Sequence, residues 1–276
     1  MKQALFALFL GLPAAAQASC GPSPDPCALP DGEYHIVLPE TGGASAPAVL
    51  YLHGAGGSGQ SALRNRGMVD ALTRRGYAVI APTGGRSFGN GAGRVWNFYP
   101  GWEGRDERDF LMRVAADATD RFGLDRNRML LSGFSAGGFM VYYLACAAPR
   151  SFAAYASVAG GFWRPHPQTC DGPVQLFHTH GWRDGTVPLE GRALRGGAFL
   201  QGDIFAGMEI WRAANRCAGE DPDAYSDTGP FWRRKWTDCA ADSALELALH
   251  PGGHGVPRGW ADMALDWFEA LPPAAD

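Results

Sequence analysis

Short apolar runs that stop at glycine-rich turns and alternate with helix-spaced segments leave this chain few folds to choose from. Residues 47–53 read PAVLYLH and end in Gly54-Ala55-Gly56-Gly57; residues 77–81 read YAVIA and end in Pro82-Thr83-Gly84-Gly85. Similar runs occur at 35–38, 128–132, 152–159, 174–178 and 244–249, and helical spacing covers 107–122, 136–148, 203–214 and 260–271. Strands alternating with helices predict βαβ units and a mostly parallel sheet. Continuous apolarity, rather than alternation, predicts strands buried on both faces. The expected fold class is therefore α/β, with helices on both faces of the sheet. Residues 19–33, with four prolines, read as an irregular arm, and 215–243, with no clear period, as an insertion pinned by a disulfide.

The ends of the chain and its cysteines speak to compartment. Lys2, the apolar stretch 4–16 and the small-residue site Ala16-Gln17-Ala18 form the pattern of a secretory signal peptide over residues 1–18. Gln17 stands where a lipoprotein signal wants an aliphatic residue, so lipidation at Cys20 is the weaker reading. The remaining residues, 19–276, read as one catalytic domain. No other apolar run approaches the length of a membrane span. All six cysteines (Cys20, Cys27, Cys146, Cys170, Cys217, Cys239) follow the cleavage point, and an even number in an exported chain predicts disulfides. Sequence-local pairing, 20–27, 146–170 and 217–239, is expected. No C-x₂-C spacing suggests zinc. With 24 basic and 28 acidic residues the net charge is −4, which offers no footprint for nucleic acid.

The chemistry concentrates at Gly133-Phe134-Ser135-Ala136-Gly137, a G-x-S-x-G match between a buried run and an apolar helix. That strand–turn–helix setting is the one in which a nucleophilic serine is exposed above a sheet. A serine so placed needs a base, and the base an orienting acid, in the chain order Ser, acid, His. His254, in the loop Pro251-Gly252-Gly253-His254-Gly255 beyond the last strand, is the expected base; His250 reads as a packing residue, and His178 and His180 lack an evident third partner for a metal. Asp184, just past the penultimate strand run, is the expected acid, with Glu190 and Asp203 as competitors. The backbone N–H groups of Ala136 and of Ala55, with Gly56 as the alternative to the latter, are the expected oxyanion donors.

These pieces extend into a family resemblance. LHGAGGS (52–58), WN (96–97), DERDF (106–110), LDRNRMLLSGFSAGGFM (124–140), HGWRDGTVPLEG (180–191) and GGHGVP (252–257) resemble the secreted polyhydroxybutyrate depolymerase and feruloyl or acetylxylan esterase group of α/β-hydrolases. The resemblance implies the α/β-hydrolase fold, a Ser135–Asp184–His254 triad, no cofactor, and ester substrates of the polyhydroxyalkanoate-oligomer or plant cell-wall kind. It implies a structural role for Asp106, whose partner in the family's acidic pair is Glu107 here. Trp182 and Val256 depart from the family pattern beside the presumed cleft, and Trp96 and Trp182 are the expected substrate-contacting aromatics. Two rivals stay open at this level: a peptidase or acyltransferase with the same triad, and a polymer- or glycan-binding protein on an inactive scaffold.

Overall fold

The computed structural model describes residues 20, 21, 23, 25–40 and 45–272, so the expected signal peptide and its cleavage site lie outside the described residues. Ten strands form the central sheet. In chain order they are β1 (Cys27–Leu29), β2 (Gly32–Val37), β3 (Ala46–Leu52), β4 (Ala78–Pro82), β5 (Leu124–Phe134), β6 (Ala154–Val158), β7 (Gln175–Gly181), β8 (Ala224–Thr228), β9 (Phe231–Trp236) and β10 (Ala244–His250). Their spatial order is β1-β2-β4-β3-β5-β6-β7-β10-β9-β8. The six strands from β4 to β10 in that order run parallel, and antiparallel pairs flank them on both edges.

The continuous apolarity of the central strands has the predicted cause. Leu50, Ile80, Leu131, Leu176 and Leu247 face one core; their neighbours Val49, Val79, Leu130, Phe177 and Ala248 face a second one across the sheet. The first core is closed by α3 (Glu107–Phe122), α4 (Ala136–Ala147) and α5 (Ile204–Ala214), the second by α2 (Arg66–Arg74) and α6 (Trp260–Glu269); α1 (Gly59–Ala62) is a single turn. Each fully buried large apolar side chain in these layers contributes roughly 1.5–3 kcal/mol. The helix ends follow local chemistry: Asp106 caps α3 by accepting from Asp109 N, and Gly123 ends it at φ 65°. Asp203 caps α5 through Phe205 N and Ala206 N, which occupies that competitor for the acid role.

Two stretches differ from expectation. Residues 215–243 contain the hairpin β8–β9, which extends the main sheet antiparallel to β10. Strand β9 carries Arg233, Arg234 and Lys235 in an otherwise apolar pattern, and its pairing is set by the neighbouring strand rather than by a run of its own. The supposed irregular arm likewise contributes β1 to the sheet edge. The cysteines are bonded as Cys20–Cys27, Cys146–Cys170 and Cys217–Cys239. Among the described residues no helix is long and apolar enough to cross a membrane.

Candidate active site

The parallel strands all present their carboxyl ends on one edge, and the chain leaves β3, β5, β7 and β10 there into loops carrying His53–Gly57, Ser135, Asp184 and His254. This is where open α/β sheets build their sites.

Ser135 sits at φ 56°, ψ −117°, a left-handed conformation that a side-chain-bearing residue seldom adopts. Its N–H donates to Val158 O at 2.9 Å, which pins the turn to β6. The flanking glycines are obligatory: a Cβ on Gly133 would lie 2.5 Å from the Gly137 backbone, and one on Gly137 2.2 Å from Leu52 O. The turn therefore projects the serine at the start of α4.

The Ser135 hydroxyl donates to His254 Nε2 at 3.0 Å, and His254 Nδ1 donates to Asp184 Oδ2 at 2.7 Å. The other Asp184 oxygen accepts from Thr186 N (2.9 Å) and Val187 N (2.8 Å). Burial acts to raise the Asp184 carboxyl, but the His254 hydrogen bond and the two amides outweigh it and hold it below the usual carboxylate range. Asp184 is thus kept ionised opposite the imidazole. Phe134 packs its ring 4.8 Å from that of His254. Glu190 is exposed.

At the turn after β3, Gly56 N–H is taken by Arg94 O and Gly57 N–H by Gly54 O, while Ala55 N–H meets no acceptor among the described residues. The Gly56 alternative therefore has no free donor. Ala136 opens α4, so its N–H has no intrahelical partner. Ala55, Ser135 and Ala136 together line a cavity of about 360 Å³. Its walls are apolar and aromatic, with Phe98, Trp102, Phe139, Trp163 and Phe199 in mutual ring contact. Val256 and Phe134 border a second depression on the other side of the same turn.

The two tryptophans expected to touch substrate do not line that cavity. Trp96 is wholly buried; its Nε1 donates to His53 O at 2.8 Å and its ring packs on His53, so it supports the turn from beneath. Trp182 is exposed and meets Trp232 of β9 edge-on, and its backbone N–H donates to His250 O. Aromatic residues near a motif look alike in sequence whether they wall a cleft or fill a core.

Three arrangements escaped the sequence reading. His53 Nδ1 donates to Gly54 O at 2.7 Å and its Nε2 accepts from Gly84 N at 3.0 Å, which ties the β3 turn to the β4 turn. The buried Glu107 carboxylate accepts from Gly85 N and Asn97 N and pairs with Arg105, so the acidic residue beside Asp106 braces the same loops. The third is a buried row behind Asp184. His180 Nε2 lies 2.7 Å from Val187 O, which only accepts, so that nitrogen carries the proton. His180 Nδ1 then accepts from His178 Nε2 (3.0 Å), and His178 Nδ1 accepts from the Tyr142 hydroxyl (2.8 Å). Burial drives both imidazoles toward the neutral form this row requires. His180 Nε2 is also 3.6 Å from Asp184 Oδ2. Two histidines at i and i+2 on one strand face were the signal in the sequence; their tyrosine partner lies on α4, earlier in the chain. Among the described residues no group of three or more His, Cys, Asp or Glu side chains is arranged to hold a metal.

Burial, opposed by the Gly54 hydrogen bond and reinforced by Arg105 and Arg94, pushes the His53 imidazole down to about 4. Unfolded, it titrates near 6.5. Between these values the unfolded chain binds the extra proton, so stability falls as pH drops through that window and is regained above it. The expected loss from His53 is about 3 kcal/mol by pH 4, in addition to losses from the similarly lowered His178, His180 and His250. Urea unfolding at pH 7 and pH 5 checks this; a chain equally stable at both would contradict it.

A mostly parallel sheet with helices on both faces and a nucleophile-type turn at its carboxyl edge defines an α/β-hydrolase. Comparison with known proteins narrows the class. Residues 65–163 match the model of the prolyl oligopeptidase family. The putative esterase NocK of Nocardia uniformis subsp. tsuyamanensis is 30% identical over 260 residues, covering 86% of this chain and 69% of that protein. Feruloyl esterase C of Emericella nidulans is 24% identical over 274 residues, covering 92% and 89%. Among solved structures, acetyl xylan esterase from Aspergillus awamori superposes with a TM-score of 0.65 at 14% identity, over 87% of this chain and 94% of that one, a likeness of fold. The chain belongs to the esterase family of α/β-hydrolases, whose members hydrolyse carboxylic esters.

Proposed function

We propose that this protein is an exported serine esterase in which Ser135 attacks an ester carbonyl, His254 accepts its proton, and Asp184 orients and stabilises the imidazolium. The observation that carries the reading is the continuous hydrogen-bonded path Ser135–His254–Asp184 beside a cavity. In the first half-reaction the Ser135 oxygen bonds to the carbonyl carbon and His254 passes the proton to the departing alcohol. In the second, water deprotonated by His254 attacks the acyl-enzyme and Ser135 is restored. Ala136 and Ala55 N–H groups stabilise the oxyanion in both. Export is supported by the leader-like pattern at 1–18 and by three disulfides, and residues 19–276 act as a single catalytic domain.

The alcohol must leave within reach of His254. The cavity is lined by Ser135, Ala136 and Ala55 but not by His254, which makes it the acyl side. Its aromatic walls favour medium-sized apolar acyl groups, including the hydroxyalkanoyl and cinnamoyl types that the family resemblance implies. A fluorophosphonate probe should label Ser135 stoichiometrically. The kcat/KM for p-nitrophenyl esters should rise from acetate to hexanoate by up to roughly fourfold per methylene, the worth of a buried CH₂. Amide substrates, methyl ferulate, hydroxybutyrate oligomers and acetylated xylan complete the panel. An unlabelled Ser135, or amides cleaved in preference to esters, would overturn the esterase reading.

A further inference from the structure

We propose that the acyl cavity takes chains ending in a carboxylate, which Arg192 and Arg195 bind at its mouth; this rests on the serine-esterase reading above and names its substrate class. Three arginines, Arg86, Arg192 and Arg195, line the cavity, and no Asp or Glu does. This is notable in a chain of net charge −4. Among the other arginines, Arg75, Arg105, Arg113, Arg121 and Arg233 make ion pairs, and Arg94, Arg126, Arg183 and Arg212 donate to backbone carbonyls. Arg86 is engaged, lying 4.7 Å over the Trp102 ring and donating to Glu103 O. The guanidinium groups of Arg192 and Arg195 make no hydrogen bond or ion pair with the described residues.

The segment that carries them is built rather than loose. Ala193–Leu194 pairs antiparallel with Phe199–Gln201, which in turn pairs with Trp163–Arg164. Gln201 N donates to Arg192 O at 2.8 Å, fixing the backbone of one arginine. The other sits at φ 49°, followed by Gly196 at 66° and Gly197 at 96°. A non-glycine residue held in the left-handed region persists only where its surroundings demand it, and such residues gather at ligand clamps. Phe199, from the same hairpin, meets Trp163, Tyr99 and Trp102. One hairpin thus supplies both the aromatic wall and the cationic rim.

Chemistry then selects the ligand. The scissile carbonyl sits at Ser135, an apolar chain lies along the aromatic rings, and the far end meets unpaired guanidinium groups. A guanidinium matches a carboxylate with two parallel hydrogen bonds and is weakly hydrated, so it binds that group without a large desolvation loss. Hydrolysis of such an ester releases a dicarboxylic acid and an alcohol.

The experiment compares mono-p-nitrophenyl adipate with p-nitrophenyl hexanoate, esters of equal chain length. The wild type should prefer the adipate ester by about tenfold or more in kcat/KM, the scale of one charged hydrogen-bonded contact. In the Arg192→Gln/Arg195→Gln variant the adipate-to-hexanoate ratio should fall about tenfold, and in the wild type it should fall with added salt. A ratio that is the same in wild type and variant overturns the proposal. Hexanoate left unhydrolysed would count against the serine-esterase reading itself. Calorimetry on Ser135→Ala then decides the arginine rim without turnover: monoethyl adipate should bind more tightly than ethyl hexanoate, and equal binding overturns the proposal.

Discussion

Ser135→Ala is expected to lower kcat for p-nitrophenyl butyrate by roughly 10⁴–10⁶ and to leave the melting temperature almost unchanged. The loss is large because, among the described residues, the hydroxyl is the only group within hydrogen-bonding distance of His254 Nε2, so no neighbour substitutes as nucleophile. The fold survives because what holds the turn is not the hydroxyl. Ser135 N–H still donates to Val158 O, and the steric relief at Gly133 and Gly137 is untouched. Alanine also accepts the φ of 56° no worse than serine, since both carry a Cβ. A residual rate above that of water should persist from the Ala55 and Ala136 amides. A variant with activity near the wild-type level would sink the assignment.

Asp184→Asn should reduce kcat by about 10⁴, a larger effect than loss of one charge alone would give. The geometry supplies the reason. Asp184 Oδ1 accepts from two amides, Thr186 N and Val187 N, so the carbonyl oxygen of asparagine must take that side. Its NH₂ then faces His254 Nδ1 and can only donate to it. His254 is forced into the tautomer whose Nε2 carries the proton, and it can no longer accept from Ser135. The same NH₂ is turned toward the protonated His180 Nε2, 3.6 Å from the replaced oxygen. Far-ultraviolet circular dichroism should show an intact fold, while stopped-flow acylation should be slowed. Acylation within tenfold of wild type would remove Asp184 from the mechanism.

How much of this could be read from the chain follows from which constraints leave marks in sequence. The Ser135 turn was legible because close backbone approach admits only glycine at 133 and 137. The parallel strands were legible because both faces are covered, which leaves unbroken apolar runs. The hairpin β8–β9 was not, since an edge pair with exposed Tyr225 and Trp232 and basic residues between is set by its neighbour β10. Helix α2 was overlooked, with Arg66, Asp70 and Arg74 masking its apolar stripe of Met68, Val69 and Leu72. Trp96 was misread because depth in a fold is a tertiary property: the residue lies one layer below the surface it was expected to form. The hydrogen-bonded row from Tyr142 to Val187 depends on which strand lies beside α4, and local pattern does not report that.

That row has a mechanical consequence. Helix α4 follows directly on Ser135 and carries Tyr142; β7 carries His178 and His180 and runs into the loop that bears Asp184. The turn that bears Ser135 and the loop that bears Asp184 are therefore tied to one another through the protein interior, and a slip between helix and strand would break the Tyr142–His178 bond that joins them. His254 stands apart from this chassis on a loop where a Cβ at Gly255 would touch nothing. In the proposed mechanism Ser135 and Asp184 thus stand on one braced frame, and the imidazole of His254 bridges them from a separate loop.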